Sequence, residues 1–176
     1  MTHSFLQRTL FKISSYLPCR IISGNQQQPY LERYHLLTLP FNIQIYLHRF
    51  VSSDPGQCLH NHPWKAALSF ILSGQYIETR LDKTKADMPF RKRIVKAGNF
   101  NYINGEIYHR IDIEQKTSVW SLFMHSKKQE SWGFMNTTNH QFAYQDHNQL
   151  VEQHNDPKWW VHADKPKNNP SMRQEL

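Results

Sequence analysis

Residues 58–64 read Cys58-Leu59-His60-Asn61-His62-Pro63-Trp64, a stretch rich in side chains that bind metals. In an extended strand, residues two apart point to the same face and lie roughly 7 Å apart. The imidazoles of His60 and His62 can therefore converge on one ion if a third ligand comes from a neighbouring strand. His109 is the best candidate for that ligand, because it lies in a second short strand predicted over residues 108–113.

The segments on both sides of this stretch also have the pattern of short strands. Residues 41–50 alternate between apolar and polar side chains, and Ser73-Gly74 is a turn signal between two further strands. Residues 30–39 form either a short helix or a first strand, which Pro40 ends. Strands at close spacing with no long helices between them predict an antiparallel sandwich or barrel and argue against a Rossmann-like sheet. The other predicted strands cover residues 57–64, 66–72, 75–81, 94–98, 101–103 and 118–124.

The segments that carry the histidines resemble the two signature motifs of the cupin superfamily. His60, His62 and Gly74 match the first motif, Gly-x5-His-x-His-x3–4-Glu-x6-Gly, and Gly98 and His109 match the second, Gly-x5-Pro-x-Gly-x2-His-x3-Asn. The resemblance covers about residues 41–125 and implies an all-β double-stranded β-helix with a metal in one mouth of the barrel. A looser likeness is to small, largely uncharacterised bacterial cupins. The chain departs from the motifs at Asp54, Ala67, Asn104, Glu106 and Ile113.

The motif glutamate is replaced by Ala67, which leaves three neutral ligands. Such a set resembles the three-histidine sites of thiol dioxygenases. Imidazole ligands suit Fe, Zn, Ni or Cu better than Mg or Ca, and Fe(II) is the favoured cofactor. The resemblance implies an Fe(II) dioxygenase that acts on a small anionic molecule. The alternatives are an isomerase or lyase, with or without metal, that uses His48 or Glu78 as its base, and a non-catalytic small-molecule sensor.

Arg49, Glu78 and Arg110 are the predicted catalytic residues. An arginine that faces a barrel interior can bind a substrate carboxylate through its planar fork, whereas the same residue on the other face meets solvent. The same two alternatives, a place inside the barrel or a place in solvent, apply to Arg80. Glu78 is either a substitute carboxylate at the metal or a group at the surface or pocket rim.

Other residues are candidates for a place in or around the pocket. Cys58 is either a fourth ligand or a small buried residue. His48 and His125 are candidates for pocket groups. The aromatic residues are expected to form either a ligand-binding wall or ordinary core packing, and they are Trp120, Phe123, Trp132 and Phe134.

The chain divides into three predicted parts. Residues 1–28 contain a short amphipathic helix and a polar linker, residues 29–135 form the barrel, and residues 136–176 form a C-terminal extension. The extension is expected to end in a mobile tail from Asp164 to Leu176, since that segment is rich in Lys, Asn and Pro. Trp159 and Trp160 are expected to cover a barrel edge or a dimer face.

Composition limits the partners. The net charge of +7 favours anionic molecules, but the densest basic run, residues 90–93 near Lys83 and Lys85, is expected to be a solvated hairpin. It lacks the interleaved aromatic residues of a nucleic-acid platform, so nucleic acid is not an expected partner. Two cysteines and no apolar run of membrane-spanning length predict a cytoplasmic protein without membrane insertion. A homodimer is expected by analogy with other barrels of this kind.

Overall fold

In the part of the chain that the structure describes, short segments form twelve strands after an N-terminal helix. The computed structural model describes residues 3–24, 28–82, 90–128, 132–136, 143–146, 156 and 158–176. The helix α1 spans Phe5–Ser14, and 3-10 turns among these described residues cover Pro40–Asn42, Trp159–Val161 and Pro170–Met172. The strands are β1 (Cys19–Ser23), β2 (Pro29–Leu39), β3 (Ile43–Phe50), β4 (Leu59–His60), β5 (Ala67–Ser73), β6 (Gln75–Leu81), β7 (Phe90–Lys96), β8 (Phe100–Ile103), β9 (His109–Asp112), β10 (Val119–His125), β11 (Gly133–Asn136) and β12 (Ala143–Asp146).

The strands form two antiparallel sheets of six. One sheet has the order β1-β2-β3-β10-β5-β8, and the other has the order β12-β11-β4-β9-β6-β7. The central eight strands, β3 to β10, therefore lie in the orders 3-10-5-8 and 4-9-6-7. This is the order of an eight-stranded jelly roll, or double-stranded β-helix. The predicted all-β class with a short N-terminal helix is confirmed, and residues 30–39 form a strand.

Gly74 makes the tight connection between β5 and β6 possible. Its φ of +82° lies in the left-handed region that disfavours L side chains. A Cβ at this position would lie 2.7 Å from the backbone oxygen of Ser118, a contact that real Cβ atoms do not make. The motif glycine that the sequence shares with cupins is thus required here by backbone geometry.

The two faces of the first sheet pack in separate hydrophobic clusters. Phe50 packs between the sheets with Tyr76 and Ile111 of the second sheet, so Tyr46 and His48, which lie on the same side of β3, also face the barrel interior. Leu47 faces the other way and packs with Trp120 beneath Leu10 and Phe11 of α1. The first sheet therefore has an inner core and an outer core, and α1 covers the outer one.

The helix α1 begins at a capping box. The Ser4 hydroxyl accepts from the backbone N–H of Gln7, and the Gln7 side chain accepts from the backbone N–H of Ser4. Phe11 then contacts the outer core. In the described parts of the chain, no helix is long and apolar enough to cross a membrane.

The expected mobile tail is wrong, because the segment from Asp164 to Leu176 is bound to the outer core. The guanidinium of Arg173 donates to Ser14 Oγ at 2.7 Å and to Tyr34 Oη at 3.1 Å. The buried Arg49 donates to the backbone oxygens of Gln174 and Glu175 at 2.8 and 2.7 Å. Polar and backbone hydrogen bonds hold the segment, and a composition poor in apolar side chains does not reveal such contacts.

Candidate metal centre

The histidines His60, His62 and His109, called the histidine triad below, meet at one end of the barrel. His60 ends β4 and lies directly opposite His109 of β9 in the antiparallel register. His62 follows β4 by two residues, and its Nε2 lies 2.8 Å from Nε2 of His109. The three ring centroids are 4.8 to 5.0 Å apart. One ligand atom from each residue lies within 4.8 Å of those of the other two, so the triad can surround one ion.

Asn61 fixes the backbone between the first two histidines. Its Oδ1 accepts from the N–H of Gly133 at 2.8 Å, and its Nδ2 donates to the oxygen of Gly105 at 2.7 Å. The side chain is buried and joins β11 to the loop before β9. Asn61 therefore holds three separate parts of the chain around the triad. The sequence analysis did not assign it a role.

Glu78 orients His109. This carboxylate is fully buried, and its Oε1 lies 2.8 Å from Nδ1 of His109. An ionised carboxylate only accepts hydrogen bonds, so Nδ1 of His109 carries the proton and Nε2 points its lone pair into the triad. Carboxylates that bind the second nitrogen of a metal-ligating histidine commonly fix its tautomer in this way.

Two arginines and an asparagine hold Glu78 in its ionised form. Arg93 Nε donates to Oε2 at 2.7 Å, Arg80 Nε lies 3.0 Å from the same oxygen, and Asn101 Nδ2 donates to Oε1 at 3.1 Å. Burial by itself raises the pKa of Glu78, but the hydrogen bonds from His109, Arg80 and Asn101 outweigh burial and lower the pKa well below the usual range. Both oxygens of Glu78 are thus occupied inside the barrel.

His60 and His62 are neutral imidazoles, which is the form that binds metal. Burial lowers the pKa of each well below its usual value. The neighbouring histidines lower both values further. His60 and His62 are partly exposed and His109 is buried, so the triad is more accessible on the side of His60 and His62 than on the side of His109.

Asp54, which replaces the first motif glycine, lies beside His60. Its Oδ2 accepts from the backbone N–H of Ile111 at 2.7 Å and lies 3.8 Å from Nδ1 of His60. Burial raises the pKa of Asp54 to about 6. A carboxylate therefore stands behind two of the three histidines, Glu78 in hydrogen-bond contact and Asp54 slightly farther away.

Stacked aromatic rings form the wall next to His62. Trp64 stacks on His62 at 4.7 Å and on His125 at 4.3 Å, and Tyr46 stacks on His125 at 5.5 Å. Burial lowers the pKa of His125 to about 4, so this ring is neutral near pH 7. Trp159 stacks on Tyr46 at 6.2 Å and covers that part of the interior. These rings pack against one side of the triad, at His62.

The structure separates the predicted catalytic residues. Glu78 reaches the site, but as the partner of His109 and not at the surface or rim. Arg49 points to the outer core, where its Nη1 lies 3.2 Å from Oε1 of Glu32. Arg110 alternates with the inward-facing His109 and Ile111, and it pairs with Asp112 on the outside of the second sheet. Neither Arg49 nor Arg110 lies with the triad.

Other side chains also differ from expectation. Arg93, predicted to be part of a solvated hairpin, turns inward because it faces Glu78 across the β6–β7 pair. Lys83 and Lys85 lie outside the described residues. Cys58 is partly exposed and is not part of the group of converging ligand atoms. Trp120 packs in the outer core, Phe123 packs in the inner core, and Phe134 lies 6.3 Å from the ring of His60.

The donor set fits a divalent transition metal. Three imidazoles converge, and one of them is held by a buried carboxylate, as in many protein sites for such ions. Within the described residues no carboxylate joins the group of ligand atoms. An ion with more than three coordination positions therefore keeps positions for other ligands.

Similar folds occur among solved structures at low sequence identity. A predicted oxalate decarboxylase from Thermotoga maritima has 19% identity and a TM-score of 0.49, with 64% of this chain and 95% of that chain covered. A cupin domain of Schizosaccharomyces pombe Cnp3 has 14% identity and a TM-score of 0.43, with 57% and 67% covered. Hydroxypropylphosphonic acid epoxidase from S. wedmorenis has 13% identity and a TM-score of 0.44, with 62% and 55% covered.

This chain thus spans little more than half the length of that epoxidase. No protein-family model and no curated protein matches the chain. All three TM-scores lie below 0.5, so the double-stranded β-helix is assigned from the strand order alone.

Proposed function

We propose that this protein is a metal-dependent cupin enzyme that acts on a small anionic molecule, most specifically an Fe(II) dioxygenase. One observation carries the proposal: the ligand atoms of three imidazoles converge at one end of the barrel, with the buried carboxylate of Glu78 behind His109. A purely structural role does not require a buried carboxylate to hold the histidine in the tautomer that directs a lone pair into the site.

The residues of the triad would hold the metal through one ring nitrogen each. When bound, the metal supplies a Lewis acid and a one-electron redox centre at which an organic substrate and O2 can meet. Glu78 keeps Nδ1 of His109 protonated, and Asn61 holds the backbone between His60 and His62. The stacked rings of Trp64 and His125 pack against one side of the triad, at His62.

Fe(II) is the proposed metal, with Zn, Ni and Cu as alternatives, because imidazole ligands suit this group of ions. Within the described residues no carboxylate belongs to the group of ligand atoms, so the three ligands themselves bring no negative charge to the metal. A dication held by neutral ligands attracts anions, which supports an anionic substrate.

Metal analysis of protein purified without a histidine tag tests the proposal. We expect about one equivalent of metal after anaerobic loading with Fe(II), and loss of that metal in the His60→Ala/His62→Ala variant. His162→Ala is the matched control, because His162 is an exposed histidine far along the C-terminal segment. A parent protein that binds no Fe(II), Zn(II), Ni(II) or Cu(II) would rule out a metalloenzyme.

Oxygen consumption separates the reaction classes. The Fe(II)-loaded protein is screened with small thiols and small carboxylates in an oxygen electrode, beside the His60→Ala/His62→Ala variant. Substrate-dependent uptake of O2 that the variant lacks supports the dioxygenase. Turnover of a substrate without O2 uptake would instead indicate a metal-dependent isomerase or lyase.

A further inference from the structure

Arg33 is an arginine of β2 whose side chain faces the barrel interior. Arg33 lies opposite His48 in the β2–β3 register, and Leu31, two residues earlier on the same side, packs in the inner core. Its Nε donates to Nε2 of His48 at 3.1 Å. Its guanidinium carbon lies 5.3 Å from the ring centre of Tyr46. The guanidinium therefore contacts the ring of His48 and the ring of Tyr46, and Tyr46 also belongs to the aromatic wall beside the triad.

The other inward or buried arginines of the described chain each have an acidic partner. Arg49 pairs with Glu32, and both Arg80 and Arg93 pair with Glu78. No ion pair joins Arg33 to a carboxylate of the residues that the structure describes. Within those residues its guanidinium makes one hydrogen bond, through Nε, so its two terminal nitrogens remain for another acceptor.

Stacked rings connect Arg33 with the metal site. Tyr46, which the guanidinium contacts, stacks on His125, and Trp64 stacks on both His125 and His62. The side chain of Arg33 is partly buried, and a cation in such a place without a counter-ion is costly. An anion that enters beside the triad would remove this cost.

We infer that Arg33 anchors the anionic group of the substrate. The planar fork of its terminal nitrogens binds an oxyanion, either a carboxylate or a phosphate, through two parallel hydrogen bonds. The remainder of the substrate then extends along the aromatic wall of Tyr46, His125 and Trp64 toward the triad. This inference rests on the proposed function, since it assigns a substrate contact to that same site. In this inference Arg33 takes the substrate-binding role that the sequence predicted for Arg49 and Arg110, which point away from the triad.

The test uses the full-length protein loaded with Co(II), whose visible absorption reports the metal environment. Acetate and inorganic phosphate are titrated separately at constant ionic strength, with chloride as the reference anion. Affinity is taken from the absorption change and from the rise in Tm, because a ligand that binds the folded state raises Tm. The acetate and phosphate titrations distinguish the two oxyanion sources.

We expect one of the two oxyanions to bind the parent saturably. Arg33→Gln should weaken that affinity by at least about 10-fold, as for the loss of hydrogen bonds to a charged group. Arg33→Lys keeps the positive charge but lacks the planar fork, so its oxyanion affinity should lie between those of the parent and Arg33→Gln. Arg110→Gln is the matched control, because it removes an arginine next to His109 that points outward, and it should bind the anion as the parent does.

The outcomes separate this inference from the proposed function. A parent that takes up no Co(II) contradicts the proposed function itself. If the parent and Arg33→Gln both bind stoichiometric Co(II) and have equal affinity for the oxyanion, the role of Arg33 is overturned but the proposed function is not. The role of Arg33 is also overturned if Arg110→Gln loses as much oxyanion affinity as Arg33→Gln. The absence of saturable binding of either oxyanion to the Co(II)-loaded parent also overturns it. If circular dichroism shows that Arg33→Gln is unfolded, the comparison of Arg33→Lys with the parent decides.

Discussion

Two fully buried glutamates, Glu78 and Glu32, lie in comparable networks on opposite sides of the first sheet. Glu78 lies in the barrel interior, where Arg80, Arg93 and Asn101 surround it and His109 contacts it. Glu32 lies in the outer core, where it binds Arg49, Tyr34 Oη and the backbone N–H of Gln174. The same chemistry, an arginine-paired buried carboxylate, thus positions a histidine in one network and the C-terminal segment in the other.

The comparison teaches that burial and charge pairing alone do not identify a functional carboxylate. What differs is the group at the far end of the network. The Glu78 network ends at an imidazole whose other nitrogen points into the triad, whereas the Glu32 network ends at backbone atoms and at Arg173, which donates to Tyr34. We therefore expect both networks to matter for stability and only one to matter for the metal.

The largest effects should come from removing either carboxylate. Glu32→Ala leaves the buried Arg49 unpaired, and Glu78→Ala leaves the partly buried Arg80 and Arg93 and the buried His109 without their carboxylate. Each change should therefore lower the free energy of unfolding by about 3–5 kcal/mol. Chemical denaturation of the metal-free proteins measures this. Metal content measured below the unfolding transition should fall in Glu78→Ala and stay at the parent level in Glu32→Ala. Equal metal content in the two variants would remove the distinction between the networks.

Acid should weaken the interior more than the outer core. The pKa of His125 is lowered from 6.5 in the unfolded chain to about 4 in the folded protein. Its contribution to stability is therefore complete above pH 6.5 and is lost as the pH falls from 6.5 toward 4, by roughly 3 kcal/mol in all. Denaturation of the metal-free protein across this range measures the loss. His125→Phe should flatten the profile, and an unchanged profile in that variant would contradict the assignment.

A smaller effect should follow when only the charge of Glu78 is removed. Glu78→Gln keeps the shape of the side chain but no longer requires a proton on Nδ1 of His109. Metal affinity should fall about 10–100-fold, measured by competition with a chelator of known affinity. Glu32→Gln is the matched control on the outer face and should bind metal with the affinity of the parent. An unchanged affinity in Glu78→Gln would show that the carboxylate does not control the triad.

The smallest effect should come from Arg110→Gln. Arg110 and Asp112 form a partly exposed pair on the outside of the second sheet, with 19% and 37% of their side chains exposed. Exposed pairs of this kind contribute about 0–1 kcal/mol, so the Tm and the metal affinity should stay close to those of the parent. Thermal denaturation and metal titration check this. A loss comparable to that of Glu78→Gln would restore Arg110 as a residue of the site.

The histidines were predictable because strand periodicity and motif spacing are local properties. His60 and His62 lie two residues apart in the sequence. Gly74 marks a turn that requires glycine, because a Cβ there would lie too close to the backbone oxygen of Ser118. The partners of these residues were not predictable in the same way. Glu78 was predicted to lie either at the metal or at the surface or pocket rim, and not behind His109. Asn61, Asp54 and Asn101 were not predicted as partners of the triad or of Glu78.

The arginines show most clearly what a local pattern leaves open. Each of Arg33, Arg49, Arg93 and Arg110 lies in a strand, and half the residues of any strand face away from a given side. Which half faces the interior depends on where α1, the C-terminal segment and the second sheet lie. Two arginines that the sequence favoured point outward, and two that it did not favour point inward.

By itself, the sequence determined the all-β class, the N-terminal helix and the three histidines that converge. These follow from period-two alternation, turn residues and ligand spacing, each of which involves a few neighbouring positions. Only the tertiary structure decided that Glu78 holds His109, that the C-terminal segment is bound by Arg49 and Arg173, and that Arg33 faces the interior without an acidic partner among the described residues. Those contacts join residues far apart in the chain, and their geometry is set by how the two sheets and the helix pack.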